Sequence, residues 1–174
     1  GIWDEKFIGY MGEELQSVQE PFFATIFTLT SHHPFVIPKE YEGRLQEGLT
    51  PNHKCVEYVD GAIEQFFARH HDEAWFKNTI FVFVADHVSS EKMTEVFRRS
   101  PGDYHIFGFM YAPDSALFGE HRQVVSQMDI MPTLLGLLGN EEPYFAFGRD
   151  IFGEHESEPI SINYDSNMFQ AITA

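Results

Sequence analysis

The stretch "FVFVADHVSS", residues 81–90, is an apolar run that stops on a carboxylate and an imidazole, Asp86 and His87. Extended back to Thr79, the run 79–85 has strand length and no polar alternation, the pattern of a strand buried on both faces of a parallel sheet. Asp86 and His87 then stand just past its carboxyl end. Ligands of open parallel sheets bind in the crevice outside those ends, where loops converge on a rigid frame. A hard carboxylate beside a neutral imidazole suits a divalent ion such as zinc or manganese. The plainer reading of the dipeptide is a solvated loop.

Working outward, residues 22–29 are aromatic and β-branched and read as a second buried strand, which gives way to the polar turn Thr30, Ser31, His32, His33, Pro34. Between residues 51 and 71, Val56, Val59, Ile63, Phe66 and Phe67 recur at helical spacing, with Glu57, Asp60 and Glu64 opposite. Downstream, the pattern predicts a short helix over 91–98 and a strand over 105–111, closed by Pro113. A further helix is capped by Asp129, carries Pro132 in its first turn and buries Leu134, Leu135 and Leu138 before Gly139 stops it. Strand hints recur only weakly at 160–164. The alternation predicts an α/β fold, a mainly parallel sheet flanked by helices, with Asp86, His87, His32 and His105 converging at one edge of it.

Composition narrows the function classes. A chain of 174 residues, 43% hydrophobic and with 18 phenylalanines, is long enough to bury a core and reads as one domain, 1–174. A formal net charge of -16 argues against nucleic acid or an anionic membrane as partner, since both need clustered Lys and Arg. The longest apolar run is far too short to span a bilayer, so the chain is expected to be soluble. Cys55 is the single cysteine, and without a strong cationic neighbour it is not expected to be reactive. His33, His53, His70, His71, His121 and His155 sit in polar surroundings and read as surface residues.

The blocks "TLTSHHPF", "NTIFVFVADH", "YHIFGFMYAP" and "QMDIMPTLLGLLG", in that order, resemble successive blocks of the alkaline phosphatase and sulfatase superfamily, most of all its lipoteichoic acid synthase and phosphoglycerol transferase branch. "GIWDEKFI" resembles the stretch that opens the second half of those domains, and the resemblance extends to about Phe152. It implies that Asp86 and His87 are ligands of a catalytic metal. It also implies that His32 contacts the substrate phosphoryl group or a second metal, and that His105 has a similar role. Two positions depart from the family pattern, Phe107 where a proline is usual and Val88 where a glycine is common; both bear on loop shape and specificity.

The resemblance further implies that the nucleophile and an early acidic ligand lie upstream, so the chain is expected to be the carboxyl-terminal part of a larger catalytic domain and inactive by itself. The parent would be a metal-dependent phosphotransferase using manganese, zinc or magnesium, which two ligands alone would hold only weakly. Its partners would be a phospholipid head group or another phosphate or sulfate ester and the missing N-terminal half of the domain. Its place would be the periplasmic or extracellular face of a bacterial membrane, anchored by preceding helices. Two alternatives stand beside this: a sulfatase or phosphodiesterase of the same superfamily, and a non-catalytic binding module.

Overall fold

The computed structural model describes residues 1–113, 117–155 and 158–173. They form two compact units, one of residues 1–93 and 106–117, the other of 94–105 and 118–174.

The first unit is built around two helices, α1 (Asp4–Leu15) and α2 (Pro51–His70), followed by the single turn α3 (Ala74–Lys77). Pro51 opens α2 because its missing N–H would have no partner in the first turn. The face that α2 buries shares Phe66 with the expected one, and Val59, Ile63 and Phe67 are half-buried beside it. Its buried stripe is Cys55, Tyr58, Ala62, Phe66 and His70, whereas Val56 is 51% exposed. Against this stripe pack Ile8 and Leu15 of α1 and Trp75 and Phe76 of α3, with Phe67 and Phe81 at the margin. The rings interlock: the Phe76 centroid lies 4.7 Å from Phe81 and 5.1 Å from Phe67. A smaller cluster holds Ile37, Cys55 and Tyr58. Burial pushes the Cys55 thiol up, as expected for an inert cysteine. It also pushes the Tyr58 phenol up to about 12, and that oxygen accepts the Glu5 amide at 3.3 Å, tying α1 to α2.

Strand β1 (Phe81–Val84) forms where the apolar run predicted it, and the α/β layering of helices and small sheets holds. The pairing differs from expectation. β1 pairs antiparallel with β2 (Gly108–Tyr111), Phe83 facing Phe109, rather than with a parallel neighbour. Residues 22–29, the candidate parallel partner, join no ladder; among the described residues the amides of 22–28 meet no hydrogen-bond partner. Phe22 and Ile26 nevertheless pack on the core while Phe23 and Phe27 face outward, the alternation of a strand without its ladder. β2 also starts at Gly108, three residues after His105, because Gly102–Tyr104 form a 3-10 turn that takes up the chain after Pro101.

His70 overturns the surface reading given to it. It is 0% exposed, wedged where Gly12 of α1 leaves no room for a Cβ, and neither ring nitrogen meets a hydrogen-bond partner among the described residues. Phe66 and Trp75 pack on its ring at 5.1 and 5.6 Å. Burial lowers its pKa, Arg69 of α2 lowers it further, and Glu73 and Glu13 of α1 oppose. A folded-state pKa below the unfolded value of about 6.5 means that the unfolded chain binds the proton first. This contribution to stability is therefore present above pH 6.5 and is lost as pH falls from there through the folded pKa. Urea midpoints measured at pH 7.5 and 5.5 should drop more steeply in the parent than in His70→Phe. Equal slopes in the two proteins would exclude His70 as the group responsible.

The second unit holds α4 (Ile130–Leu137) and the hairpin β3 (Ile160–Asp165) and β4 (Met168–Thr173). The hairpin closes through Ser166 and Asn167, both at positive φ, the two central positions of a type I′ turn. The helix expected over 91–98 is only the 3-10 turn Glu95–Arg98, since Thr94 is extended and Ser100–Pro101 follows directly. Asp129 also does more than cap. Ser126 caps the 3-10 turn Gln127–Asp129, while the buried Asp129 carboxylate accepts the amides of Ser126 at 2.7 Å and Arg149 at 2.8 Å. Thr133 completes this clasp, donating to the Asp129 carbonyl at 2.6 Å and accepting from the Ile151 amide at 3.0 Å. α4 consequently buries Pro132 and Thr133 and leaves Leu138 exposed; Gly139, at φ 68°, ends it as expected.

Candidate functional site

At the end of β1 the ladder is carried one residue further by the Ala85 amide, which donates to the Phe107 carbonyl at 3.2 Å. The chain then turns, and Asp86 Oδ1 accepts the His87 amide at 2.9 Å. His87 Nδ1 lies 2.7 Å from the Val88 carbonyl oxygen. A carbonyl can only accept, so Nδ1 carries the proton, and in the neutral imidazole the lone pair is on Nε2. That Nε2 lies 3.4 Å from Asp86 Oδ2. Two donors bound at about 2.0–2.1 Å to one tetrahedral ion lie about 3.4 Å apart. The separation, the tautomer and the carbonyl behind the imidazole thus fit two adjacent ligands of one divalent ion. Both side chains are largely exposed. Among the described residues, no group of three or more His, Cys, Asp or Glu side chains is placed to hold an ion.

His32 is built the same way on a different turn. Its amide donates to the Leu29 carbonyl at 3.0 Å, and the Phe35 amide donates to the His32 carbonyl at 3.0 Å, two successive tight turns. Its Nδ1 lies 2.9 Å from the His33 carbonyl oxygen, which again leaves Nε2 as the bare nitrogen. Phe35, at φ 59°, holds a conformation that is strained for an aromatic residue, immediately after Pro34.

The turn is anchored by a residue that the sequence did not single out. Asp4, 2% exposed, accepts the Leu29 amide at 3.0 and 3.1 Å on its two oxygens and the Thr30 amide at 2.7 Å. A carboxylate in the first turn of a helix normally signals only interaction with the helix dipole, and nothing in its spacing marked it as a clamp across 25 residues. His105 belongs to the second unit, exposed, its amide donating to the Gly102 carbonyl at 3.1 Å and its ring 6.2 Å from Phe97. Cavities of about 290 and 420 Å³ lie against Tyr41 and Lys54 and against Tyr10 and Arg69.

The family model described as Sulfatase matches residues 1–140. The chain belongs to the sulfatase family. Lipoteichoic acid synthase 1 of Bacillus subtilis is 26% identical over 178 residues, covering 92% of this chain and 28% of that protein. Lipoteichoic acid synthase of Staphylococcus aureus is 23% identical over 177 residues, covering 92% and 27%. A solved structure of an alkaline phosphatase superfamily protein from Vibrio parahaemolyticus superposes with a TM-score of 0.77 at 25% identity, covering 99% of this chain and 43% of that one. The chain therefore carries part of an alkaline-phosphatase-like domain and spans less than a third of the length of these curated relatives. The sulfatase match ends at residue 140, so β3 and β4 lie beyond it. Among the described residues, no helix is long and apolar enough to cross a membrane.

Proposed function

We propose that residues 1–174 are the carboxyl-terminal part of the catalytic domain of a metal-dependent phosphotransferase of the lipoteichoic acid synthase kind, which moves phosphoglycerol or a related group from a lipid head group. The observation that carries this reading is the Asp86–His87 pair, oriented with its oxygen and bare nitrogen 3.4 Å apart at a strand end. In this reading Asp86 and His87 hold the ion, and His32 and His105 meet the substrate's oxygens. A divalent ion held there supplies Lewis-acid polarisation of a phosphoryl oxygen and lowers the pKa of a hydroxyl nucleophile. His32 works through Nε2: neutral, it accepts a proton from an attacking or departing hydroxyl; protonated, it donates to a phosphoryl oxygen. The hydrogen bond to the His33 carbonyl keeps the ring oriented for either task. The nucleophile comes from the rest of the domain, so this chain alone does not turn over. The whole protein works at the outer face of a bacterial membrane, where lipid head groups are the donors.

The direct test is manganese titration of the chain followed by amide NMR. Paramagnetic broadening is expected first at Asp86, His87 and Val88, at an affinity too weak for stoichiometric binding, because two protein ligands are fewer than a zinc or manganese site ordinarily takes. Broadening centred on His121 or His155, with residues 86–88 unaffected, would place the metal elsewhere and defeat the reading.

A further inference from the structure

We infer that Asp4 is a positioning residue for His32, its buried carboxylate holding the turn on which that imidazole is displayed; the inference rests on reading His32 as a group that meets phosphoryl oxygens. The argument begins with the missing ladder. Residues 22–28 lead into the turn with no amide partners among the described residues, so sheet hydrogen bonds do not fix where the segment ends. The Asp4 carboxylate does so instead. It takes the amides of the first two residues of the turn, Leu29 at 3.0 and 3.1 Å and Thr30 at 2.7 Å.

Hydrogen bonds to a carboxylate are roughly twice as strong as those between neutral groups, and at 2% exposure Asp4 has these amides as partners in place of water. Leu29 is held at both ends, its amide by Asp4 and its carbonyl by the His32 amide at 3.0 Å. Any shift of Leu29 is therefore passed to His32 through one hydrogen bond. It also reaches the ring, because the 2.9 Å contact between Nδ1 and the His33 carbonyl depends on the main chain at 32–33. Asp4 in turn is fixed by α1, whose next amide, that of Glu5, donates to the Tyr58 hydroxyl. The relay runs from the α1–α2 pair through one carboxylate to the imidazole.

The experiment uses the 174-residue chain and reads the His32 tautomer by long-range nitrogen–proton NMR, with hydrogen exchange at Leu29 and Thr30. In the parent protein the Nδ1–H form should dominate, and those two amides should exchange more slowly than the amides of residues 23–28. Asp4→Asn keeps the shape but turns one acceptor into a donor. It should speed exchange at Leu29 or Thr30 by at least roughly tenfold, as for loss of a hydrogen bond to a charged group, and should mix the His32 tautomers. Tyr58→Phe loosens α1 by another route and should leave His32 as in the parent.

Equal disturbance of His32 by Tyr58→Phe would overturn the inference, because general loosening of α1 would then suffice. If Asp4→Asn does not fold, parent amides at Leu29 and Thr30 exchanging as fast as those of 23–28 would overturn it independently. Glycerol phosphate added to the parent separates the two levels. A His32 resonance that ignores it, while Asp4→Asn still mixes the tautomers, defeats the phosphoryl reading and leaves the positioning. A resonance that shifts equally in the parent and in Asp4→Asn, with tautomers unchanged, defeats the positioning alone.

Discussion

In the full-length protein, His87→Ala is expected to lower metal-dependent phosphoryl transfer by at least roughly a hundredfold, the scale set by losing one preorganised electrostatic contact of about 3 kcal/mol. The reason lies in how little else in this chain is placed to hold the ion. Asp86 and His87 are neighbours 3.4 Å apart at their free atoms, and no third donor group joins them among the described residues. On the proposed reading, removing the imidazole takes away one of the two ligands this chain offers. His32→Ala should reduce the rate less, because His32 would meet substrate oxygens and not the ion. Rates would be measured with and without chelator. A His87→Ala enzyme as fast as its parent, or activity in the 174-residue chain that survives chelation, would overturn the assignment and favour a non-catalytic module.

The second large effect is on stability. Phe76→Ala is expected to cost about 3–5 kcal/mol, the usual range for emptying a buried aromatic site. Phe76 is 1% exposed, and Phe66, Phe67, Trp75 and Phe81 surround its ring with centroids at 4.7 to 6.4 Å. These rings belong to α2, α3 and β1, so relaxation of one element into the void is opposed by the others. Domains of this size hold about 5–15 kcal/mol in all, so the variant should sit near the edge of folding. The outward-facing Phe23, 88% exposed, provides the contrast: Phe23→Ala should change the urea midpoint within about 0.5 kcal/mol of stability. A Phe76→Ala cost below about 1 kcal/mol would mean that the cluster is not close-packed.

The strand at 81–84 and its polar end could be read directly from the apolar run and the carboxylate that stops it, but not its burial. Phe81–Phe83 are half-buried and Val84 is exposed, because β1 has one antiparallel neighbour and not the two covered faces expected. The helix over 51–70 could be read from Pro51 and the 3.6 period. Val59, Ile63, Phe66 and Phe67 marked its inward side, but not the centre of the buried stripe. That centre contains Ala62 and His70, a small residue and an imidazole that periodicity counts as weak or polar. Packing chose that stripe because Gly12 and Ala62 let α1 and α2 approach closely, and His70 fills the gap against Gly12.

Strand direction was equally hidden. β1 pairs with β2 across 24 residues of sequence at Val84–Gly108 and 30 at Phe81–Tyr111, and nothing local encodes its sense. Among the site residues, Asp86 and His87 are adjacent in sequence and so could be found together. Asp4 meets Leu29 and Thr30 only through the fold, and a lone acid in an acidic helix start carries no sign of that contact.

The segment "PFFATIFTLT", residues 21–30, has a meaning for handling as well as for architecture. The open amides of residues 22–28, beside the outward rings of Phe23 and Phe27, make a template onto which a second chain can add as a strand. At neutral pH the surplus of 16 negative charges keeps copies apart. Near the isoelectric point of about 4.8 that repulsion vanishes while the template remains. The acidic surplus is thus the chain's colloidal protection, and light scattering is expected to rise as pH approaches 4.8.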